Sequence, residues 1–247
     1  MINKSLIKKR FSKSLNTYSD NAFFQKEMAE KLINLINKKE FNNILEIGCG
    51  TGILTKKLVN TLCFKTLTTN DIVSSTKMFI DNIYPNNIFL EGDIEEIKIE
   101  KKYDLIISNA CLQWCNNIDT TIKKLVDSLN NNGILAISIF GNNNLKEIKE
   151  IFRIQNQNYT KEELKIALKK YKIIEFQEEN KILYFDNLTQ ILRHLKATGV
   201  NAIKQQTLTK TKLEELNKIY SENYTLNNKV TLTYNPIYIL IMKNDIE

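Results

Sequence analysis

The chain has 247 residues, 43% of them hydrophobic, with only two prolines and no Pro/Gly/Ser-rich linker, so one large α/β domain is expected. No apolar run approaches the roughly 18–20 residues of a membrane span, no apolar stretch follows the basic N-terminus as in a secretory signal, and the scattered cysteines (49, 63, 111, 115) with a lone His194 fit neither zinc nor a disulfide framework, which points to a reducing cytoplasm. The charge of +7 suits nucleic acid, an acidic carrier protein or an anionic small molecule, but all except three of the 35 cations are lysines, spread along the chain, and read as biased composition more than as one patch.

In chain order, residues 5–39 read as two helices, with Met28, Ala29, Leu32, Ile33, Leu35 and Ile36 at helical spacing. A strand over 43–47, apolar enough to be buried on both faces, runs into a glycine loop and a helix over 53–60. Strands follow at 65–70, 87–90 and 103–108, with Ser74 or Ser75 as the cap of an intervening helix. A helix over 118–129 is expected to stop at Asn131-Asn132-Gly133, before a fifth strand over 134–140. Strands alternating with helices predict an α/β fold with a parallel, doubly wound sheet. Beyond it, 161–170, 188–197 and 210–220 read as helices, and 172–176, 181–185 and 230–242 as strands, the last interrupted by Asn235-Pro236.

Ligands of such sheets bind outside the carboxyl ends of the strands. Four residue groups fall there. Gly48-Cys49-Gly50-Thr51-Gly52 is spaced GxGxG, unlike the GxGxxG of a pyrophosphate cradle, and Glu46 precedes it. A carboxylate at that point disfavours pyrophosphate and suits the ammonium of S-adenosyl-L-methionine (SAM). Asp71 can accept both ribose hydroxyls, with Ile72 packed on the adenine. Asp93 can accept the adenine amino group beside Ile94. Ser108-Asn109-Ala110 turns toward the reactive sulfonium.

Further segments carry a family resemblance: Arg10-Phe11-Ser12 with Tyr18, Ala22 and Gln25; residues 45–52; Ser108-Asn109-Ala110-Cys111-Leu112-Gln113-Trp114; residues 192–202; and Leu232-Thr233-Tyr234. Together they resemble the malonyl-acyl-carrier-protein O-methyltransferases of biotin synthesis, within the class I, Rossmann-like methyltransferases. The resemblance implies a mostly parallel seven-stranded sheet, an N-terminal helical lid over 1–40, a SAM-binding core over 41–140, a cap over 141–229 and a final strand over 230–247.

The resemblance also implies the reaction: methyl transfer from SAM to the carboxylate of a malonyl thioester on acyl-carrier protein or CoA. Tyr18 and Gln25 would close over the cofactor, and Gln113 and Trp114 would line the pocket beyond Asn109. Arg153, in the helix after strand five, is assigned to the malonyl carboxylate because a guanidinium binds a carboxylate in two-point fashion. Ser19 stands where the family carries an acid. No nucleic acid, membrane or metal is expected, and a monomer is. The alternatives are a methyltransferase of another small carboxylic acid or of RNA, and a SAM-binding subunit without catalysis.

Overall fold

The computed structural model describes residues 2–154, 158–198 and 209–244. Helix α1 (Lys4–Asn21) and helix α2 (Phe23–Asn34) lead into strand β1 (Glu40–Ile47) and helix α3 (Ile53–Thr61). Strand β2 (Cys63–Asp71), helix α4 (Lys77–Ile83), strand β3 (Ile88–Glu91), strand β4 (Tyr103–Asn109), helix α5 (Ile118–Asp127) and strand β5 (Leu129–Phe140) complete the alternating half. Then come helices α6 (Lys146–Ile151) and α7 (Lys161–Leu168), strands β6 (Lys172–Glu178) and β7 (Lys181–Phe185), helices α8 (Leu188–Ala197) and α9 (Lys210–Tyr224), and strands β8 (Thr225–Leu226), β9 (Lys229–Tyr234) and β10 (Pro236–Met242).

The main sheet runs β3-β2-β1-β4-β5-β10-β6, parallel except that β10 lies antiparallel between β5 and β6. Its centre strands are continuous apolar runs because alternate residues serve different cores. In β10, Tyr238 and Leu240 join the cluster formed with α2, α3, α6, α8 and α9, while Ile237, Ile239 and Ile241 join the one built with α5 and α7. Burial on both faces is what fixes the register, since a one-residue slip would exchange the two sets.

Several boundaries differ from the sequence reading, each for a local reason. Helix α5 ends at Asp127, and Asn131-Asn132-Gly133 lies inside β5, where Asn132 has φ +58°. The register against β4 shifts at that point, so the turn-forming residues make a bulge and not a helix stop. Neither Ser74 nor Ser75 caps a helix with its side chain. The segment 230–242 is two strands in two sheets, because β9 is the middle strand of a second, antiparallel sheet, β7-β9-β8. Strand β6, inside the span expected to be cap, is the edge strand of the main sheet. Gly199, Val200, Asn201 and Ala202 of the resemblance lie outside the described residues.

The chain crosses between the sheets at Asn235, which is fully buried and fully bonded. Its carboxamide donates to Glu178 Oε1 (3.1 Å) and the Glu179 carbonyl (2.8 Å) and accepts from the Asn143 amide (3.1 Å). Its own carbonyl accepts from the Gly141 amide (2.8 Å). Beside it, Glu147 accepts from the backbone amide and hydroxyl of Thr233, tying α6 to β9. Asn235→Ala is expected to cost on the order of 2 kcal/mol, from the side-chain bonds lost at a buried site. In a thermal melt this is a drop of roughly 4–8 °C; an unchanged midpoint would remove Asn235 from its place as the joint.

Candidate active site

The strand ends of β1, β2, β3 and β4 open into one cleft, about 1020 Å³ of empty space up to its mouth, with α1 laid across it. Lys4, Ile7, Phe11, Ser14, Leu15 and Tyr18 of α1 line it at helical spacing. Opposite them lie Gly48, Cys49, Gly50, Asp71, Ile72, Asp93, Ile94 and Asn109, with Gln25 from α2 and Trp114. Ten of the residues assigned to cofactor or catalysis from sequence therefore share one wall system; Glu46, Gly52, Gln113 and Arg153 do not line it.

The glycine loop has its shape from close approach. Gly48 has φ +70°, and a Cβ there would sit 2.3 Å from Cys111 Sγ, so only glycine lets the β1 loop nest against the turn after β4. Gly52 caps α3 at φ +83°, facing Ile83 of α4; its constraint comes from helix packing and not from the cleft. Asp71, 9% exposed, accepts from the Gly50 amide at Oδ2 and the Val73 amide at Oδ1, both 2.8 Å. Each oxygen keeps a further lone pair for a ribose hydroxyl. Burial raises the Asp71 pKa, opposed by these backbone amides.

Glu46 lies beneath the loop, fully buried, with Oε2 accepting from Thr55 Oγ1 at 2.7 Å. Burial pushes its pKa up to about 8. Glu46 does not line the cleft; Thr55 of α3 holds its carboxyl in the interior behind the loop. Its Oε1 has no hydrogen-bond partner, nor do Gln25 Oε1 and Gln113 Oε1. Of the three, Gln25 lines the cleft, and its carboxamide oxygen offers an acceptor there. A ligand bearing an ammonium group fits that acceptor, and Asp71 with Ile72 fits an adenosine; the residues present fit SAM.

Tyr18 keeps its proton: burial raises its pKa well above the tyrosine range, and nearby Cys111 and Asp71 add to this. Asn109 is committed to structure, with Nδ2 donating to the Gln25 carbonyl (3.0 Å) and Oδ1 accepting from Ser138 (2.6 Å), which fixes α2 against β4 and β5. Gln113 Nε2 donates to the Ala110 carbonyl (2.8 Å), bracing the turn that carries Trp114. Trp114 meets Phe11 of α1 edge-to-face at 6.1 Å between centroids. Arg153 is exposed, in the turn after α6 with φ +49°, so the assignment to the malonyl carboxylate is not met by its position.

The sequence reading missed Lys4. It pairs with Asp93 (3.0 Å) and Glu95 (2.7 Å), and the amide of Ile2 donates to Asn116 Oδ1 (2.7 Å), which anchors the front of α1. The far end is anchored by Ser19, whose hydroxyl donates to Thr51 Oγ1 (2.8 Å) in the glycine loop. The residue that departs from the family pattern is thus a neutral tie between α1 and the loop. A basic start to an amphipathic helix was the only sign of Lys4, and it carried no direction.

Two outcomes follow from the carboxylates. Asp71→Asn replaces an acceptor with a donor facing a backbone amide, and is expected to weaken SAM binding roughly tenfold or more in calorimetry; unchanged affinity would discard the Asp71 assignment. Glu46 binds its proton more tightly folded than unfolded, so its cost is absent below about pH 4.5 and grows until about pH 8. Glu46→Gln, which mimics the protonated form, is expected to raise the melting temperature at pH 8 and leave it near unchanged at pH 4.5. Equal shifts at both would show that Glu46 is not held protonated.

Comparison with known proteins adds sequence and fold relationships. Residues 45–137 match a family described as "Methyltransferase domain". A malonyl-[acyl-carrier protein] O-methyltransferase of Calditerrivibrio nitroreducens is 37% identical over 96% of this chain and 96% of its own. The one of Bacteroides thetaiotaomicron is 34% identical over 99% of this chain and 100% of its own. Among solved structures, the YcgJ protein of Bacillus subtilis superposes with a TM-score of 0.62 at 12% identity, over 89% of this chain and 99% of that one. The N-methyltransferase NodS of Bradyrhizobium japonicum, in complex with S-adenosyl-L-homocysteine, superposes with a TM-score of 0.53 at 15% identity, over 92% and 98%. With likeness at this level running from end to end, and a cleft whose residues fit SAM at the carboxyl edge of the seven-stranded sheet, the chain belongs to the malonyl-[acyl-carrier protein] O-methyltransferase family of class I SAM-dependent methyltransferases.

Proposed function

We propose that the chain transfers the methyl group of SAM to the free carboxylate of a malonyl thioester on acyl-carrier protein. The product, a methyl ester, conceals a charge that chain-elongating enzymes reject, and so primes pimeloyl synthesis for biotin. The observation that carries the reading is the covered cleft, in which α1 residues matching the resemblance, Phe11 and Tyr18, meet Asp71 and the glycine loop. Bound SAM supplies an electrophilic methyl on a sulfonium, toward which a malonyl carboxylate, ionised near pKa 4, is nucleophilic without a base.

The residues of the chain accordingly bind, orient and exclude water. Asp71 and Ile72 hold the adenosine, Asp93 and Ile94 flank its base, and Gln25 and Gly48–Gly50 receive the amino-acid end. Tyr18, a permanent hydrogen-bond donor at working pH, orients the reacting groups. Phe11 and Trp114 close the cleft to solvent. Alignment alone supplies roughly 7–11 kcal/mol of barrier reduction, and loss of water strengthens a weak oxygen nucleophile. Gln113 acts as a brace of the Trp114 turn. The protein works as a cytoplasmic monomer.

Incubating the purified protein with SAM and malonyl carrier protein is expected to add one methyl to the acyl group, read by mass spectrometry as a gain of about 14 Da. Malonyl carrier protein recovered unmodified, from a preparation that binds SAM, would defeat the reading.

A further inference from the structure

The fold gathers charge that the sequence disperses. Helix α1 carries Lys4, Lys8, Lys9, Arg10 and Lys13 against the single acid Asp20, and α8 carries Arg193 and Lys196 with no acid. These two helices hold seven of the chain's 35 cations and one of its 28 acids, so the rest of the chain has 28 against 27 and is nearly neutral. Almost the whole net charge therefore sits on two helices, and they touch: Thr17 Oγ1 of α1 lies 3.5 Å from the Ala197 carbonyl of α8.

Their placement relative to the cleft gives the charge a use. Helix α1 turns Phe11, Ser14 and Tyr18 inward, while Lys9 and Lys13 are exposed on its other side. Arg193 and Lys196 are exposed on α8, whose buried residues Ile191, His194 and Leu195 face the core. Helix α8 leans on the Tyr18 half of α1, away from Lys4 and Asp93. The cationic face thus borders the end of the cleft where Tyr18 sits.

We propose that the outer faces of α1 and α8, through Lys9, Lys13, Arg193 and Lys196, are the docking surface for an acidic carrier protein that presents its thioester to the Tyr18 end of the cleft. The inference rests on the malonyl-thioester reading above. A carrier protein is acidic and delivers its acyl group on a long arm, so a cationic rim beside the reactive end both steers the encounter and sets the reach. The opposite, N-terminal edge of the sheet, which also carries exposed lysines, serves as the control for this face.

The test compares two substrates, malonyl carrier protein and malonyl-pantetheine, which has the arm without the protein. In the variant Lys9→Glu/Lys13→Glu/Arg193→Glu/Lys196→Glu, kcat/KM for malonyl carrier protein is expected to fall about tenfold or more, with that for malonyl-pantetheine within about twofold. The same charge change at the far edge, Lys65→Glu/Lys101→Glu/Lys170→Glu/Lys172→Glu, is expected to alter neither. Unchanged carrier-protein kinetics in the first variant, or an equal fall on both substrates, overturns the docking surface. So does retention of bulk tRNA by the wild type that the first variant loses while carrier-protein kinetics hold. Failure of the wild type to methylate either thioester is a different result: it removes the functional reading itself, before any variant is made.

Discussion

The cleft exists because one buried carboxylate holds two loops. Asp71 ends β2, and its oxygens take the amides of Gly50 and Val73, so the loop after β1 and the turn after β2 are fixed to the same side chain. Burying a carboxylate is costly unless backbone donors replace its lost water. Here the donors come from the two segments that must form the cofactor wall. The energetic need of the acid and the shape of the wall are thereby met by the same bonds. Gly48 completes the arrangement by letting the β1 loop close on Cys111 without a Cβ between them.

A second joint does the same for the rest of the chain. Asn235 sits where β9 of the small sheet becomes β10 of the large one, bonded on every side. Through β9 and α8 the small sheet reaches α1, and Tyr234 of β9 bonds His194 of α8 at 2.8 Å. The lone histidine is part of this packing; burial lowers its pKa and keeps it neutral. The helix over the cleft is consequently supported by a segment built some two hundred residues later.

The parallel core was legible because burial on both faces leaves uninterrupted apolar strands ending in short polar loops, and the acids that line the cleft stand at those ends. Asp71, Asp93 and Asn109 could be located by counting from such ends. What could not be counted were direction and partnership. Glu46 was legible as an acid before the loop, but not its position beneath it, which depends on Thr55. Arg153 was chosen for its chemistry, and it stands exposed after α6 and does not line the cleft. The end of α5 was misplaced because Asn-Asn-Gly serves a bulge as readily as a helix stop. Lys4 showed only as part of a basic helix start, since its partners Asp93 and Glu95 are some ninety residues away.

Helix α1 is fastened at both ends and spans the cleft like a bar across a doorway: Ile2 and Lys4 at one jamb, Ser19 at the other. The two fastenings differ in kind. The front one joins a largely buried ion pair, shared between two acids at the cleft's edge, to one amide–carboxamide bond; the rear one is a bond between neutral hydroxyls. Loss of either fastening alone therefore leaves α1 held at its other end across the cleft.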